Sequence, residues 1–222
     1  MTEIGPDKDG KPAVFQRLLA GVPKLRGPAP VHLWNPDYCG AIDMRIAADG
    51  SWHYNGSPIG RISMVKLFAT ILRKDPERYV LVTPVERVGI TVDDAPFLGV
   101  EIDREPGNIC DRLFLRTNLD DIVEINAEHP MRFTILPDGG VKPYIHIRGD
   151  LWALASRALT HELIGLGRIE TIEMPGDFGR QSGQKDASSP ENRQVRPPLR
   201  DFFGIRSGHA FFTIASADDI GD

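Results

Sequence analysis

The side chains best suited to covalent chemistry in this 222-residue chain are its two cysteines, and one of them lies where the backbone has to bend. Cys39 sits in WNPDYCGAIDMRI, residues 34 to 46. Asn35-Pro36 starts a turn and Gly40 accepts dihedrals closed to other residues, so the sulfur is expected at the mouth of a strand. A nucleophilic cysteine needs a cation, a helix N-terminus or a base to supply thiolate character. Asp43 and Arg45 share strand parity with it, but four extended residues span about 13 Å. Any activating group must therefore come from elsewhere in the fold. The plainer reading is a small, inert thiol beside a turn. Cys110 falls in an expected hairpin loop and is given no role.

Other groups are weighed in the same way. Asp43 and Arg45 lie about 7 Å apart on one strand face, as a surface ion pair or as polar ligand contacts. Asp93-Asp94 and Asp120-Asp121 resemble acid pairs, but neighbours on extended chain point to opposite sides. The six histidines are scattered. HELIG at 161 has glycine where a zinc-protease helix needs its second histidine, and GLG at 165–167 ends a helix instead of opening one. No metal, cofactor, phosphate loop or nucleophile-elbow serine is expected. Trp152 is read as a core residue.

The elements that must position these groups follow from composition. With 41% hydrophobic residues the chain can bury a core without disulfides, and 22 glycines with 18 prolines favour short strands and turns. A net charge of −5 argues against a nucleic-acid partner. The polar start MTEIGPDKDGK is not a secretory signal, and no apolar run approaches a membrane span, so a cytoplasmic protein with free thiols is expected.

Residues 1–33 form an arm with one helix around AVFQRLLAGV. Ile42, Met44 and Ile46 alternate into an Asp49-Gly50 turn and the strand SWHY, and a helix follows, capped by Ser57 with Pro58 at its first position. The same order recurs at residues 131–166: MRFTI, PDGG, VKPYIHI, then a helix expected from Leu151 to Ile164 with Asp150 as its cap. Gly50 and Gly139, like Gly60 and Gly149, are 89 residues apart (139 − 50 = 149 − 60). The fold class is α+β: two lobes, 34–84 and 85–174, related by a hairpin-helix duplication. The second lobe is expected to be a curved antiparallel sheet or partial barrel capped by a helix. Residues 175–222 begin as a polar linker and end in the Phe-rich segment LRDFFGIRSGHAFFTIASADDIGD, read either as a docking peptide or as a last strand and loop packed on the core.

With WNPDYCGAIDMRI, DGSWHYNGSPIGR, YVLVTPVERVGITVDDAPFLGVE and RTNLDD in order, the chain resembles an uncharacterised proteobacterial domain-of-unknown-function family, over about Trp34 to Gly167. The resemblance implies two duplicated α+β lobes, the second superficially like a pleckstrin-homology barrel. It also implies a pocket where the lobes meet, a nucleophilic cysteine at Cys39 followed by Asp43 and Arg45, and a part in bacterial signalling. Arg61, Thr83, Glu86, Asp94 and Asn118 are the further polar residues chosen for that pocket. The leading expectation is a cytoplasmic binding or sensing module for a small molecule or peptide that contacts Cys39. The alternatives are a thiol hydrolase or transferase using Cys39 as nucleophile, and an adaptor that engages a signalling partner through the C-terminal tail.

Overall fold

The computed structural model describes residues 17, 18, 21, 29–107, 110–173 and 199–216. The expected arm and linker lie largely outside them. Arg17, Leu18 and Gly21 are helical and Leu18 is fully buried.

Alternating burial builds two six-stranded sheets of like order. The first contains β1 (Tyr38–Ile46), β2 (Trp52–Tyr54), β3 (Ser57–Pro58), β4 (Leu72–Lys74), β5 (Tyr79–Val82) and β6 (Arg87–Val92), ordered β3-β2-β1-β6-β5-β4. The second contains β7 (Phe97–Glu105), β8 (Arg112–Thr117), β9 (Ile122–Glu124), β10 (Met131–Ile135), β11 (Val141–Arg148) and β12 (Leu151–Ala155), ordered β10-β11-β12-β7-β8-β9. Each is a pair of three-stranded meanders joined where first and last strands run parallel, β1 with β6 and β7 with β12. Strand for strand, β1–β6 match β7–β12, a different register from the 89-residue hairpin spacing, which sets β1–β2 against β10–β11. The fold is α+β, two lobes with a curved second sheet that curls into a half-barrel.

The hairpins that signalled the repeat turn alike, with Gly50 at φ +79° and Gly139 at φ +80°, a region that disfavours any side chain. A third strand then separates hairpin from helix in both copies, and this corrects two boundaries. Helix α1 (Ile62–Thr70) has Arg61, not Ser57, at its N-cap, because Ser57–Pro58 pairs with β2. Helix α2 (Arg157–Gly165) starts after Ser156, whose hydroxyl accepts from the Leu159 N–H at 3.3 Å. Residues 151–155 are strand: Leu151, Ala153 and Ala155 face the core and Trp152 and Leu154 do not, the period of two that a helix cannot give.

One hydrophobic cluster runs through both sheets, including Ile46, Phe68, Phe97, Leu115, Ile145 and Leu159. Trp52 stacks on Phe68 beneath α1. Gly99 on β7 lets α2 approach: a Cβ there would stand 2.9 Å from Leu115 and 3.1 Å from Leu159. The first sheet continues through Val92, past the boundary expected at residue 84. A third sheet joins β13 (Arg168–Glu173), β14 (Leu199–Ser207) and β15 (Ala210–Ser216). The Phe-rich segment is therefore a hairpin paired with β13, and its Ile205 is buried in the core. No described helix is long and apolar enough to cross a membrane.

Candidate ligand site at the lobe seam

The residues chosen from the sequence fall into three places. Cys39, Asp43, Arg45 and Arg61 are exposed. Among the described residues the Cys39 thiol reaches only the Asp37 carbonyl, at 3.5 Å, and meets no base. Asp43 belongs to the hairpin, where its carbonyl accepts from the Asn55 N–H. Arg45 pairs with Asp93 instead of Asp43, Nε to Oδ1 at 2.8 Å and Nη2 to Oδ2 at 2.6 Å. That contact raises the arginine pKa and lowers that of the carboxylate.

Thr83 and Glu86 are buried in the turn between β5 and β6. The Thr83 hydroxyl accepts from the Glu86 N–H at 3.1 Å, Arg17 approaches the Glu86 carboxylate at 3.6 Å, and Gly21 packs against Thr83. These contacts join the first lobe to its arm.

Asp94 and Asn118 alone of the eight lie on the seam. Asp93 and Asp94 lie in the bend after β6 and bond to opposite sides, Asp93 to Arg45 of the first lobe and Asp94 to the second. Asp94 accepts from the Tyr144 hydroxyl at 2.8 Å and from Lys142 at 2.7 Å. Burial first, then this hydrogen bond and the carboxylate charge, push the Tyr144 phenol up to about 12. Asn118 accepts from the Leu98 N–H at 3.1 Å and donates to the Gly50 carbonyl of the first lobe at 3.3 Å. Arg148 completes the bridge, donating to Asp121 at 3.0 Å and to the Ala69 carbonyl at the end of α1 at 2.9 Å, with its guanidinium over Phe97. A cation at a helix C-terminus is favourably placed. Lys66 of α1 pairs across the seam with Asp120.

Beside these bridges is a cleft of ≈ 510 Å³ lined from both lobes by His32, Arg73, Lys74, Arg148, Asp150 and Leu151. Arg73 shapes its wall by donating to the Val31 and Trp34 carbonyls and to Asp75. The Lys74 ammonium rests over the Tyr79 ring, 4.4 Å from its centroid. Cys39 is not among the lining residues. Sequence reading passed over Lys74, Arg148 and Tyr144, and the only local signal was the Gly149-Asp150 turn that delivers Arg148.

A larger cleft of ≈ 860 Å³ opens between the β7–β8 connection and the C-terminal hairpin. Its arginine is already matched, Arg112 with Glu105 and Glu124, so the seam offers the better ligand chemistry. Cys110 lies on its wall with the Arg168 guanidinium 3.1 Å from the sulfur. Among the described residues no group of three or more His, Cys, Asp or Glu is arranged to hold a metal ion.

The two six-stranded sheets fall one within each of two family models. Residues 29–95 match the domain of unknown function DUF1285, N-terminal domain, and residues 96–186 match the DUF1285 C-terminal domain. No curated protein matches the chain. A crystal structure of a DUF1285 family protein from Silicibacter pomeroyi DSS-3 is similar over 92% of this chain and 98% of its own, at 38% identity and a TM-score of 0.72. A second, from Shewanella baltica OS155, covers 55% of this chain and 90% of its own at 28% identity and a TM-score of 0.44. Matched in both halves and 38% identical to a solved member along nearly its whole length, the chain belongs to the DUF1285 family.

Proposed function

We propose that the chain is a cytoplasmic ligand-binding or sensing module whose small-molecule or peptide ligand occupies the cleft at the lobe seam. The observation that carries this reading is that both lobes line one cleft whose walls hold polar side chains among apolar ones, the usual make-up of a ligand site. A ligand touching both walls binds the closed seam better than an opened one and so shifts the balance between them. That is the physical basis for a role in bacterial signal transduction. Asp94 and Asn118 serve the site as seam residues.

The thiol-enzyme reading draws no comparable support, since a nucleophilic cysteine needs a base within about 3 Å and among the described residues Cys39 meets only a carbonyl. The adaptor reading is weakened by the pairing of residues 199–216 with the chain's own β13.

The test is a thermal-shift screen of the full chain against metabolites and short peptides, run beside His32→Trp, which fills the cleft from an exposed lining position. Compounds that stabilise the wild type and not the variant support the cleft. Stabilisers equally effective on both would remove it from consideration.

A further inference from the structure

Arg168 on β13 and Arg206 on β14 close on one carboxylate. The Nε of each donates to Glu170 Oε1 at 2.7 Å, and Nη2 of Arg206 reaches Oε2. Neither arginine has another carboxylate partner among the described residues, so the group is left with one positive charge in excess. That excess lies against Cys110 in the β7–β8 connection, whose sulfur accepts from Arg168 Nη2 at 3.1 Å. The contact with Cys110 is the largest cause holding the Arg168 guanidinium above its ordinary pKa, and the sulfur adds to what raises Arg206.

The neighbouring charges are engaged with one another. Arg104 is matched by Asp111 at 2.8 Å, and Arg112 by Glu105 and Glu124 on the side of the larger cleft. A thiolate at Cys110 would bring the Arg168–Glu170–Arg206 group to neutrality through a charge-assisted hydrogen bond already in place. An arginine beside a sulfur favours the thiolate over the thiol, and the thiolate is the nucleophile. The sulfur can also be reached. Cys110 is half-buried on a wall shared by the ≈ 860 Å³ cleft and a smaller one of ≈ 280 Å³, which Arg104, Arg168 and Arg206 line as well. Cys39 is the opposite case, exposed and without a cation in contact among the described residues.

We propose that Cys110 is a redox-modification site, a thiolate held by Arg168 that reacts with peroxides. The sulfur attacks one oxygen of hydrogen peroxide and the O–O bond breaks. The sulfur is oxidised to the sulfenic acid, and the peroxide is reduced to hydroxide, which takes a proton from water. Cations lining the same small cleft favour the negative charge that develops on the departing oxygen. The step is independent of the seam cleft and its ligand.

The chain holds two cysteines, so Cys39 is an internal reference in every experiment. The full chain is labelled with iodoacetamide between pH 6 and 9.5, and the rate at each cysteine is followed by mass spectrometry. An ordinary thiol, with its pKa of about 8.5, is only about 1% ionised at pH 6.5. Cys110 should therefore label at least ten-fold faster than Cys39 at pH 6.5 in spite of its lesser exposure, with the ratio falling towards one by pH 9.5. Arg168→Met should slow Cys110 about ten-fold at pH 6.5 and leave Cys39 unchanged, and Arg168→Lys, which keeps the charge, should recover part of the rate. With hydrogen peroxide and dimedone, the sulfenic acid adduct should form on Cys110 before Cys39. Equal labelling of the two cysteines at pH 6.5 overturns the proposal, whether or not the arginine variants fold, and so does a Cys110 rate that Arg168→Met does not alter. Fast labelling of Cys110 with no dimedone adduct overturns the peroxide as its reagent.

Discussion

Asn118 of the second lobe closes over Gly50 of the first, its amide nitrogen 3.3 Å from the Gly50 carbonyl and its amide oxygen accepting from the Leu98 N–H. A Cβ added at Gly50 would stand 2.7 Å from that nitrogen, on a backbone at φ +79°. Gly50→Ala should therefore cost about 1–3 kcal/mol, and Asn118→Ala about 1–3 kcal/mol through the orphaned Leu98 N–H. The two losses should not add. Removing the amide makes room for the new methyl, so urea denaturation of the double variant should show a coupling of about 0.5–3 kcal/mol, with the pair less destabilised than the sum. Strict additivity would mean that the contact does not join the lobes.

The start of α2 gives a second prediction. Ser156 caps it by accepting from the Leu159 N–H, while the exposed Asp150 lies six residues upstream in the β11–β12 turn (156 − 150). Ser156→Ala should lower stability by about 1 kcal/mol and Asp150→Ala by less than about 0.5 kcal/mol. Equal effects in denaturant titrations would restore a helix that begins near residue 151.

These boundaries indicate what the sequence carries and where it stops. Turn glycines are local, so Gly50 and Gly139 announced both hairpins, and the alternation of Ile42, Met44 and Ile46 announced β1. LWALASRALTHELI is apolar at positions that suit either period, and a five-residue strand feeding a helix without a glycine or proline between them looks like one long helix. The site was less legible because it is assembled over distance. Asp94 meets Tyr144 fifty residues later, and Asn118 meets Gly50 across sixty-eight. Lys74 and Arg148 carry no motif, and only the fold brings them from different lobes to one cleft. The exposed polar residues of the Cys39 strand drew the eye because their motif is distinctive, whereas the seam depends on pairings that no spacing reveals.

Tyr144 provides a pH prediction. Its phenol rises from an ordinary value of about 10 to about 12, so the folded state holds this proton more tightly than the unfolded chain does. The resulting stability is complete below about pH 10 and is lost as pH climbs towards 12, where the unfolded state gains by ionising first. Absorbance at 295 nm should show Tyr144 un-ionised in the native chain at pH 11, and Tyr144→Phe should flatten the fall in stability between pH 10 and 12. A native titration in which every tyrosine ionises near 10 would contradict the hydrogen bond to Asp94.

The C-terminal hairpin decides between a docking tail and a structural element. Ile205 is fully buried, the Ser207 hydroxyl accepts from the Leu113 N–H at 2.9 Å, and the Gly208 N–H donates to the Asp111 carbonyl at 3.0 Å. Each contact ties the hairpin to the start of β8. Ile205→Ala should cost about 2–5 kcal/mol as a cavity in the shared core, and Ser207→Ala about 1–3 kcal/mol as an unsatisfied buried amide. Deleting residues 199–222 combines these losses and bares the apolar surface beneath, so the truncated chain should unfold at lower urea and bind an apolar dye such as ANS. A truncated chain with an unchanged midpoint and no dye binding would mean that the hairpin stabilises nothing. Its two Phe-Phe pairs would then be available to a partner, and the adaptor reading would regain the ground that the pairing with β13 now denies it.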